Sequence, residues 1–255
     1  MHKSIIVIGM GELGCVLAKG CLKLGYSVTP VTRHNSLNDF VDQIEPQAII
    51  IAVGEADVHE VMTQVPEQWK SHVVLIQNEL LPRDWQAHAF DNPTIISVWF
   101  EKKKGKTCKV VLPSPVYGPN AQLIVQALAQ LDLPAYIVAS AEELEYELVK
   151  KNLYILTSNI AGLEVGGTVA QLAQQHSELL HALANDVLDI QDWLTHRQQD
   201  RSRLMQGLAQ AFEGDPQHQC MGRSAPARLR RALGFASEAG LAVPTLHAIA
   251  QKHLD

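Results

Sequence analysis

The 255-residue chain has few cysteines, few aromatic residues and no excess of positive charge. Its four cysteines are scattered without a C-x-x-C pair, which excludes a disulfide scaffold and a cysteine-based metal centre and is typical of reduced thiols in a cytoplasmic protein. The 21 Lys+Arg against 27 Asp+Glu give a net charge of −6, which disfavours nucleic acid as a partner because phosphate binding needs a basic face.

Long hydrophobic runs are also missing. No apolar stretch reaches the roughly 18 residues that a membrane span needs. Met-His-Lys-Ser passes directly into Ile-Ile-Val-Ile, without the pattern of a signal peptide. We therefore expect a cytoplasmic globular protein with neither a membrane nor a nucleic-acid partner.

The first 140 residues alternate strand-sized, β-branched segments with helical ones. The predicted strands are Ile5–Ile8, Ser27–Thr32, Ala48–Val53, Val73–Ile76 and Thr94–Val98, and the predicted helices are Leu13–Leu24, Val58–Val65 and a weaker Leu37–Ile44. This order predicts a doubly wound, mainly parallel α/β sheet, a Rossmann domain over residues 1–140. Glu101–Gly105 is interpreted as a solvated, lysine-rich turn of a hairpin, and Asn120–Gln130 and Ala135–Ala139 as the closing helix and strand.

Residues 141–255 lack strand patterns and are predicted to form an all-α domain. The predicted helices are Ala141–Ile160, Val169–His196, Arg203–Phe212, Ala227–Glu238 and Thr245–Leu254. Gly162, Gly166–Gly167 and Gly240 are the expected helix ends, because glycine is the preferred residue just after a helix. A helical second domain of this kind is compatible with a homodimer.

The strongest local motif follows the first predicted strand and opens the first helix. It is a G-x-G-x-x-G turn made of Gly9, Met10, Gly11, Glu12, Leu13 and Gly14. In this position the first glycine permits a tight turn, the second admits a diphosphate, and the third lets helix and strand pack closely. The motif predicts dinucleotide binding.

The residue after the second strand selects the dinucleotide. NAD sites usually place a carboxylate there for the ribose hydroxyls, but this chain has Arg33, and its next carboxylate is Asp39. A guanidinium would bind the 2′-phosphate of NADP. NADP(H) is therefore the expected cofactor.

Three further stretches complete a family pattern. Gln77-Asn78 is similar to a Gln-Asn-Gly turn, the helix from Lys151 to Asn159 is similar to K-x3-N-x3-N, and Gly240-Leu-Ala-Val-Pro244 is similar to a closing G-x-x-V-P segment. With the glycine-rich turn and Arg33, these resemble the ketopantoate reductase (2-dehydropantoate 2-reductase) family, in the 6-phosphogluconate-dehydrogenase-like group, over nearly the whole chain.

The resemblance implies a reductase that transfers hydride from NADPH to a small 2-oxo acid in a cleft between two domains. It implies that Lys151 is the proton donor, that Asn159 contacts the substrate, and that Asn78 binds substrate and nicotinamide. Lys150 is the competing donor under a shifted register, with Asn152 as the asparagine.

The chain also departs from the family pattern. Where the family has a lysine after the third strand, this chain has Gly54, and where the family has the middle helix asparagine, it has Ile155. The family's glycine after Gln-Asn is replaced by Glu79, and the family's glutamate by Arg228. Arg228 belongs to a basic cluster, with Arg223, Arg230 and Arg231, that either binds an acidic substrate group or is a solvated helix face. The alternative function is an NADP(H)-binding sensor or scaffold without catalysis.

One acidic pattern resembles a metal site superficially. Asp186, Asp189 and Asp192 share one side of a predicted helix, where a solvated acidic face is the simpler interpretation. No metal is expected.

Overall fold

A mainly parallel sheet of seven strands organises the N-terminal part of the chain. The computed structural model describes residues 4–254, and its contacts divide the chain into one unit that ends at Glu147 and another that begins at Leu148. The sheet strands are β1 (Ser4–Ile8), β2 (Ser27–Val31), β3 (Pro46–Ile51), β4 (Val73–Leu75), β5 (Thr94–Ile96), β8 (Ser114–Tyr117) and β9 (Ala135–Ile137). Their order is β2-β1-β3-β4-β5-β8-β9, and only the β5–β8 pair is antiparallel. The predicted α/β class is confirmed.

Helices cover this sheet. They are α1 (Glu12–Lys23), α2 (Val58–Thr63), α3 (Pro82–Gln86) and α4 (Ala121–Ala129), with 3₁₀ turns at Leu37–Phe40 and Glu67–His72. Helices α1 and α4 approach closely at Gly20, where a Cβ atom would lie 2.4 Å from the carbonyl oxygen of Ala127. The apolar residues of β1, β3 and β4 are almost fully buried, as expected for parallel strands that are covered on both faces.

Several local predictions for this unit were wrong in detail. The segment Leu37–Ile44 forms only the 3₁₀ turn, which Ser36 and Asp39 close as a capping box. The hairpin pairs β6 (Phe100–Glu101) with β7 (Lys109–Val110), so Glu101, which was predicted to belong to the turn, lies in a strand. Strand β8 was missed because a proline, Pro115, argues against a central strand. Pro30, by contrast, lies in the edge strand β2, where a missing amide is tolerated.

The C-terminal unit is helical. The division falls within α5 (Ala141–Val165), which is followed by α6 (Val169–Gln175), α7 (Ser177–Thr195), α8 (Arg201–Gly214), α9 (Ala225–Ala239) and α10 (Pro244–His253). Helix α7 packs against α6, α9 and α10. The predicted all-α character is confirmed, although the segment Val169–His196 forms two helices separated at His176.

Gly162 does not end a helix as predicted. It lies inside α5, which continues to Val165 and ends at Gly166 and Gly167, both with positive φ. A Cβ atom at Gly162 would lie 2.4 Å from the amide nitrogen of Met221. The glycine is therefore explained by a close approach of the 220–222 segment, a tertiary contact that local sequence patterns do not reveal.

The three aspartates of α7 are bound to protein groups. Asp186 Oδ2 accepts hydrogen bonds from the amides of Thr245 (2.7 Å) and Leu246 (3.0 Å) at the start of α10. Desolvation of this buried carboxyl raises its pKa, against the lowering effect of those two amides. Asp189 and Asp192 both pair with Arg201, at 2.6 and 2.7 Å. Within residues 4–254 no group of three or more His, Cys, Asp or Glu side chains is arranged to hold a metal ion.

None of the helices described between residues 4 and 254 combines the length and the apolar character that crossing a bilayer requires.

We predict opposite effects of alanine at two helical glycines. Gly162→Ala should lower the free energy of unfolding by about 2 kcal/mol or more, because the new methyl group overlaps backbone atoms that cannot rotate away. Gly234→Ala in α9 should raise it by about 0.5–1 kcal/mol, because no atom lies within 4 Å of the new Cβ and alanine favours helix. Urea unfolding followed by circular dichroism measures both. Equal effects at the two positions would contradict the close approach.

Candidate functional site

The glycine-rich turn links β1 to α1 through close backbone contacts. Gly9 has φ +90°, and its Cβ would lie 2.7 Å from the carbonyl oxygen of Ala52. A Cβ at Gly14 would lie 2.0 Å from the carbonyl oxygen of Gly9. At Gly11 there is no atom within 4 Å of that position, so this glycine faces open space. Two glycines are thus needed for packing, and the third leaves room for a ligand.

The first turn of α1 provides amides for an anion. Gly11 is the N-cap residue and no side chain caps this helix end. The first amides of a helix have no partner within it and carry a partial positive charge. Met10, Gly11 and Glu12 are exposed, while Leu13 is half-buried. This arrangement fits the diphosphate of a dinucleotide.

The segment after β2 is an ordered turn that leaves Arg33 exposed. Asn35 Oδ1 accepts from the Thr32 amide at 2.7 Å, and Asn35 Nδ2 donates to the Pro30 carbonyl at 3.1 Å. Asp39, the nearest carboxylate along the chain, accepts from the Ser36 amide at 2.8 Å and so serves the capping box. The turn therefore presents a cation, and its carboxylate is already engaged.

Gln77 and Asn78 follow β4, at the same sheet edge as the glycine-rich turn. Gln77 Nε2 donates to the carbonyl oxygens of Ile51 (2.7 Å) and Val53 (3.3 Å), so this side chain fastens the ends of β3 and β4 together. Asn78 Nδ2 donates to Glu55 Oε1 at 3.2 Å. Parallel strands β1, β3 and β4 end at one edge, which places Asn78 on the ligand-binding side of such sheets.

Two departures from the family pattern have different physical characters. Glu79 has φ +67°, the left-handed conformation that glycine adopts most easily, so the local backbone keeps the shape of a Gln-Asn-Gly turn. Gly54 is not required by packing, because the nearest atom to its Cβ position is Asp57 Oδ2 at 3.7 Å. A larger side chain would fit there without displacing a neighbour.

In the C-terminal unit a hydrogen bond links two residues that were predicted to bind the substrate. Arg228 Nη1 donates to Asn159 Oδ1 at 2.5 Å, and Asn159 Nδ2 donates to the Cys220 carbonyl at 3.1 Å. Both side chains are buried, with Arg228 9% exposed and Asn159 6%. Arg223 and Arg230 are exposed and Arg231 is half-buried. Arg228 is thus the member of the basic cluster that is held inside the unit.

The candidate proton donor lies elsewhere on α5. Lys151 is half-buried, and its Nζ lies 5.5 Å from the centroid of the Tyr154 ring, a cation–π contact. The Tyr154 ring in turn contacts the rings of Phe212 (5.8 Å) and His218 (5.9 Å). Eight residues separate Lys151 from Asn159, about 12 Å of helix rise. The two side chains therefore lie about two helical turns apart along α5.

The residues of the shifted register are buried. Lys150 is 7% exposed and Asn152 2%, and Asn152 Nδ2 donates to Gln191 Oε1 of α7 at 3.0 Å. Ile155, at the middle position of the motif, is 6% exposed. Burial and the α5–α7 contact give Asn152 a packing role, which favours Lys151 over Lys150 as the accessible lysine.

One residue near the glycine-rich turn was missed. Lys102, interpreted from the sequence as part of a solvated turn, has its Nζ 3.2 Å from Glu12 Oε2. A contact between residues 90 positions apart leaves no periodic signal, and only the lysine-rich composition of the hairpin hinted at it.

Similarity to known proteins is found in structure and not in sequence. No family model and no curated protein sequence matches the chain. A 2-dehydropantoate 2-reductase from Methylococcus capsulatus matches with a TM-score of 0.69 and 13% identity, covering 98% of this chain and 95% of that one. The dimeric ketopantoate reductase from Staphylococcus aureus matches with 0.65 and 17%, covering 98% and 96%.

The chain has the ketopantoate reductase fold. A D-mandelate dehydrogenase, solved with NADH and anilino(oxo)acetate, matches with a TM-score of 0.64 and 12% identity over 97% of this chain and 96% of that one. The family resemblance expected from the motifs is confirmed at the level of the fold.

We predict that the left-handed conformation at residue 79 is measurable. Glu79→Gly should give a protein more stable than Glu79→Ala by about 1 kcal/mol, because only glycine adopts positive φ without strain. The same pair at Glu60, within α2, should show the opposite order, because alanine is the better helix former. Denaturant unfolding of the four variants measures this. An alanine variant at 79 as stable as the glycine variant would contradict the assigned backbone conformation.

Proposed function

We propose that this protein is an NADPH-dependent oxidoreductase that reduces a small 2-oxo acid. The observation that carries the proposal is the glycine-rich turn, where close backbone contacts require Gly9 and Gly14 while Gly11 leaves open space before α1. The fold shared with ketopantoate reductases supports the same reaction class. In this proposal the domain of residues 1–140 binds the cofactor, and residues 141–255 bind the substrate.

Arg33 supports NADP(H) rather than NAD(H). Its guanidinium is exposed at the end of β2, and Asp39 is engaged in its cap. A 2′-phosphate would form charge-assisted hydrogen bonds with Arg33, whereas the ribose diol of NAD has no carboxylate to accept from it. The D-mandelate dehydrogenase with a similar fold was solved with NADH, so the fold by itself does not select the cofactor.

The mechanism assigns each step to residues of this chain. When bound, the dinucleotide supplies hydride to the carbonyl carbon of the substrate. Lys151 gives a proton from its ammonium to the carbonyl oxygen, so the carbonyl becomes a neutral hydroxyl and the lysine a neutral amine. The Tyr154 ring restricts the Lys151 side chain before the reaction.

Arg228 and Asn159 would bind the substrate carboxylate. A guanidinium presents its donors in a planar fork that matches a carboxylate, and the hydrogen bond from Arg228 Nη1 to Asn159 Oδ1 holds the two side chains together. Arg228 replaces the family glutamate, which favours a substrate with an additional acidic group over one recognised through a hydroxyl. Asn78, at the strand edge with the glycine-rich turn, would contact the nicotinamide side of the site.

A second candidate function rests on the altered positions. Gly54 offers no side chain, and the buried Ile155 no hydrogen bond, where the family pattern has a lysine and an asparagine. These changes favour a sensor or scaffold that binds NADP(H) without turnover.

Cytoplasmic location and a homodimer remain part of the proposal. The dimeric Staphylococcus aureus reductase supports the dimer.

Cofactor choice is tested at Arg33. Arg33→Ala should raise the Kd for NADPH by about tenfold or more and leave that for NADH nearly unchanged, because only NADPH loses a charged hydrogen bond. Lys70→Ala is the matched control, since Lys70 precedes β4 at the opposite sheet edge and pairs with Glu67 at 2.7 Å. Nicotinamide fluorescence gives the Kd values. Equal loss of both dinucleotides would contradict the assignment to NADP.

Catalysis is tested at Lys151 with a panel of 2-oxo monoacids and diacids. Lys151→Met should lower kcat for NADPH oxidation by about a hundredfold or more, as expected for loss of a general acid. Lys150→Met is the comparison variant. A larger loss in Lys150→Met, with its fold intact by circular dichroism, would move the donor to that residue. Tight NADPH binding without turnover of any 2-oxo acid would favour the sensor.

A further inference from the structure

The hairpin β6–β7 holds one lysine in a fixed position beside the first turn of α1. Lys102 Nζ donates to the carbonyl oxygens of Lys103 (3.0 Å) and Lys106 (2.7 Å), and it lies 3.2 Å from Glu12 Oε2. Two of the three ammonium donors are thus bound to backbone carbonyls, and the Glu12 carboxylate is the ion-pair partner of the same ammonium. The Lys102 side chain is 22% exposed, whereas that of Lys103 is 68% exposed.

Glu12 occupies an unusual place for a carboxylate near a dinucleotide. It is the first residue of α1, directly after Gly11, where the helix dipole favours negative charge. A diphosphate bound by the glycine-rich turn would seek the same positive end of the helix. The carboxylate and a bound diphosphate would therefore compete for the same electrostatic environment, and Lys102 is the cation beside the carboxylate.

We propose that Lys102 is a diphosphate-binding residue and that Glu12 holds its ammonium in place until the dinucleotide binds. The inference rests on the cofactor site of the proposed function. On binding, a phosphate oxygen replaces Glu12 Oε2 as the anionic partner of the ammonium, while the carbonyl oxygens of Lys103 and Lys106 keep the ammonium at the hairpin. No covalent bond changes in this exchange.

The proposal predicts effects of opposite sign for the two partners. Lys102→Gln should raise the Kd for NADPH by about tenfold or more, because a charged hydrogen bond is lost. Glu12→Gln should lower the Kd by a few-fold, because a like charge beside the diphosphate is removed. Lys102→Arg keeps the cation and should bind within a few-fold of wild type.

Lys103→Gln is the matched control. Lys103 is on the same hairpin and pairs with Glu101 at 3.2 Å, so its substitution removes the same charge without touching Glu12. Its Kd should stay within a few-fold of wild type. The Lys102→Gln effect should also shrink as NaCl is raised, because salt screens an exposed charge pair.

Two fragments of NADP distinguish the proposed role of Lys102 from the proposed role of Arg33. Adenosine 2′-monophosphate carries the 2′-phosphate but no diphosphate, whereas 2′-phospho-ADP-ribose carries both. By calorimetry, Lys102→Gln should weaken only 2′-phospho-ADP-ribose, and Arg33→Ala should weaken both. Thermal unfolding without ligand checks that each variant is folded.

Three results would overturn the inference. Lys102→Gln could bind NADPH as tightly as Lys103→Gln does, so that the cation has no role in binding. Lys102→Gln and Glu12→Gln could weaken NADPH equally, with equal loss of Tm, as expected of a pair that only fastens the hairpin to α1. If wild-type protein binds neither NADPH nor NADH, the proposed cofactor site fails together with this inference.

Discussion

The N-terminal unit depends on close backbone packing between β1, the glycine-rich turn and α1. A Cβ at Gly14 would lie 2.0 Å from the Gly9 carbonyl oxygen, and one at Gly9 would lie 2.7 Å from that of Ala52. These approaches set the position of α1 on the sheet, and Gly20 then brings α1 against α4. The same packing positions the first turn of α1, where Gly11 and Glu12 are exposed.

Sequence patterns predicted the elements whose cause is local. Strands β1 and β3 were predictable because their buried residues are continuously apolar, and α1 because a glycine-rich turn precedes it. Strand β8 was not predictable, because a proline such as Pro115 argues against a central strand. The strand forms through its parallel pairing with β9, which the local sequence does not reveal. Gly162 was misinterpreted as a helix end because its cause, the backbone of Met221, lies far along the chain.

The candidate site shows the same difference between residues that local patterns predict and contacts that depend on the fold. The glycine motif and Arg33 could be identified by spacing, since both belong to one strand–turn–helix–strand unit. The bond between Arg228 and Asn159 joins residues 69 positions apart, and Lys102 and Glu12 are 90 positions apart. Long-range contacts of this kind leave no period in a single sequence. The resemblance to a family proposed both Asn159 and Arg228, but their contact required the fold.

The close approach at Gly162 also affects how strongly the Arg228 side chain is ordered. With α5 against the 220–222 segment, the Cys220 carbonyl that orients Asn159 is part of a backbone-to-backbone contact rather than of a flexible surface loop. Arg228, held by that amide, has therefore lost most of its rotamer freedom during folding. An anion that binds this guanidinium meets a group already ordered, so little conformational entropy remains to be lost at the moment of binding.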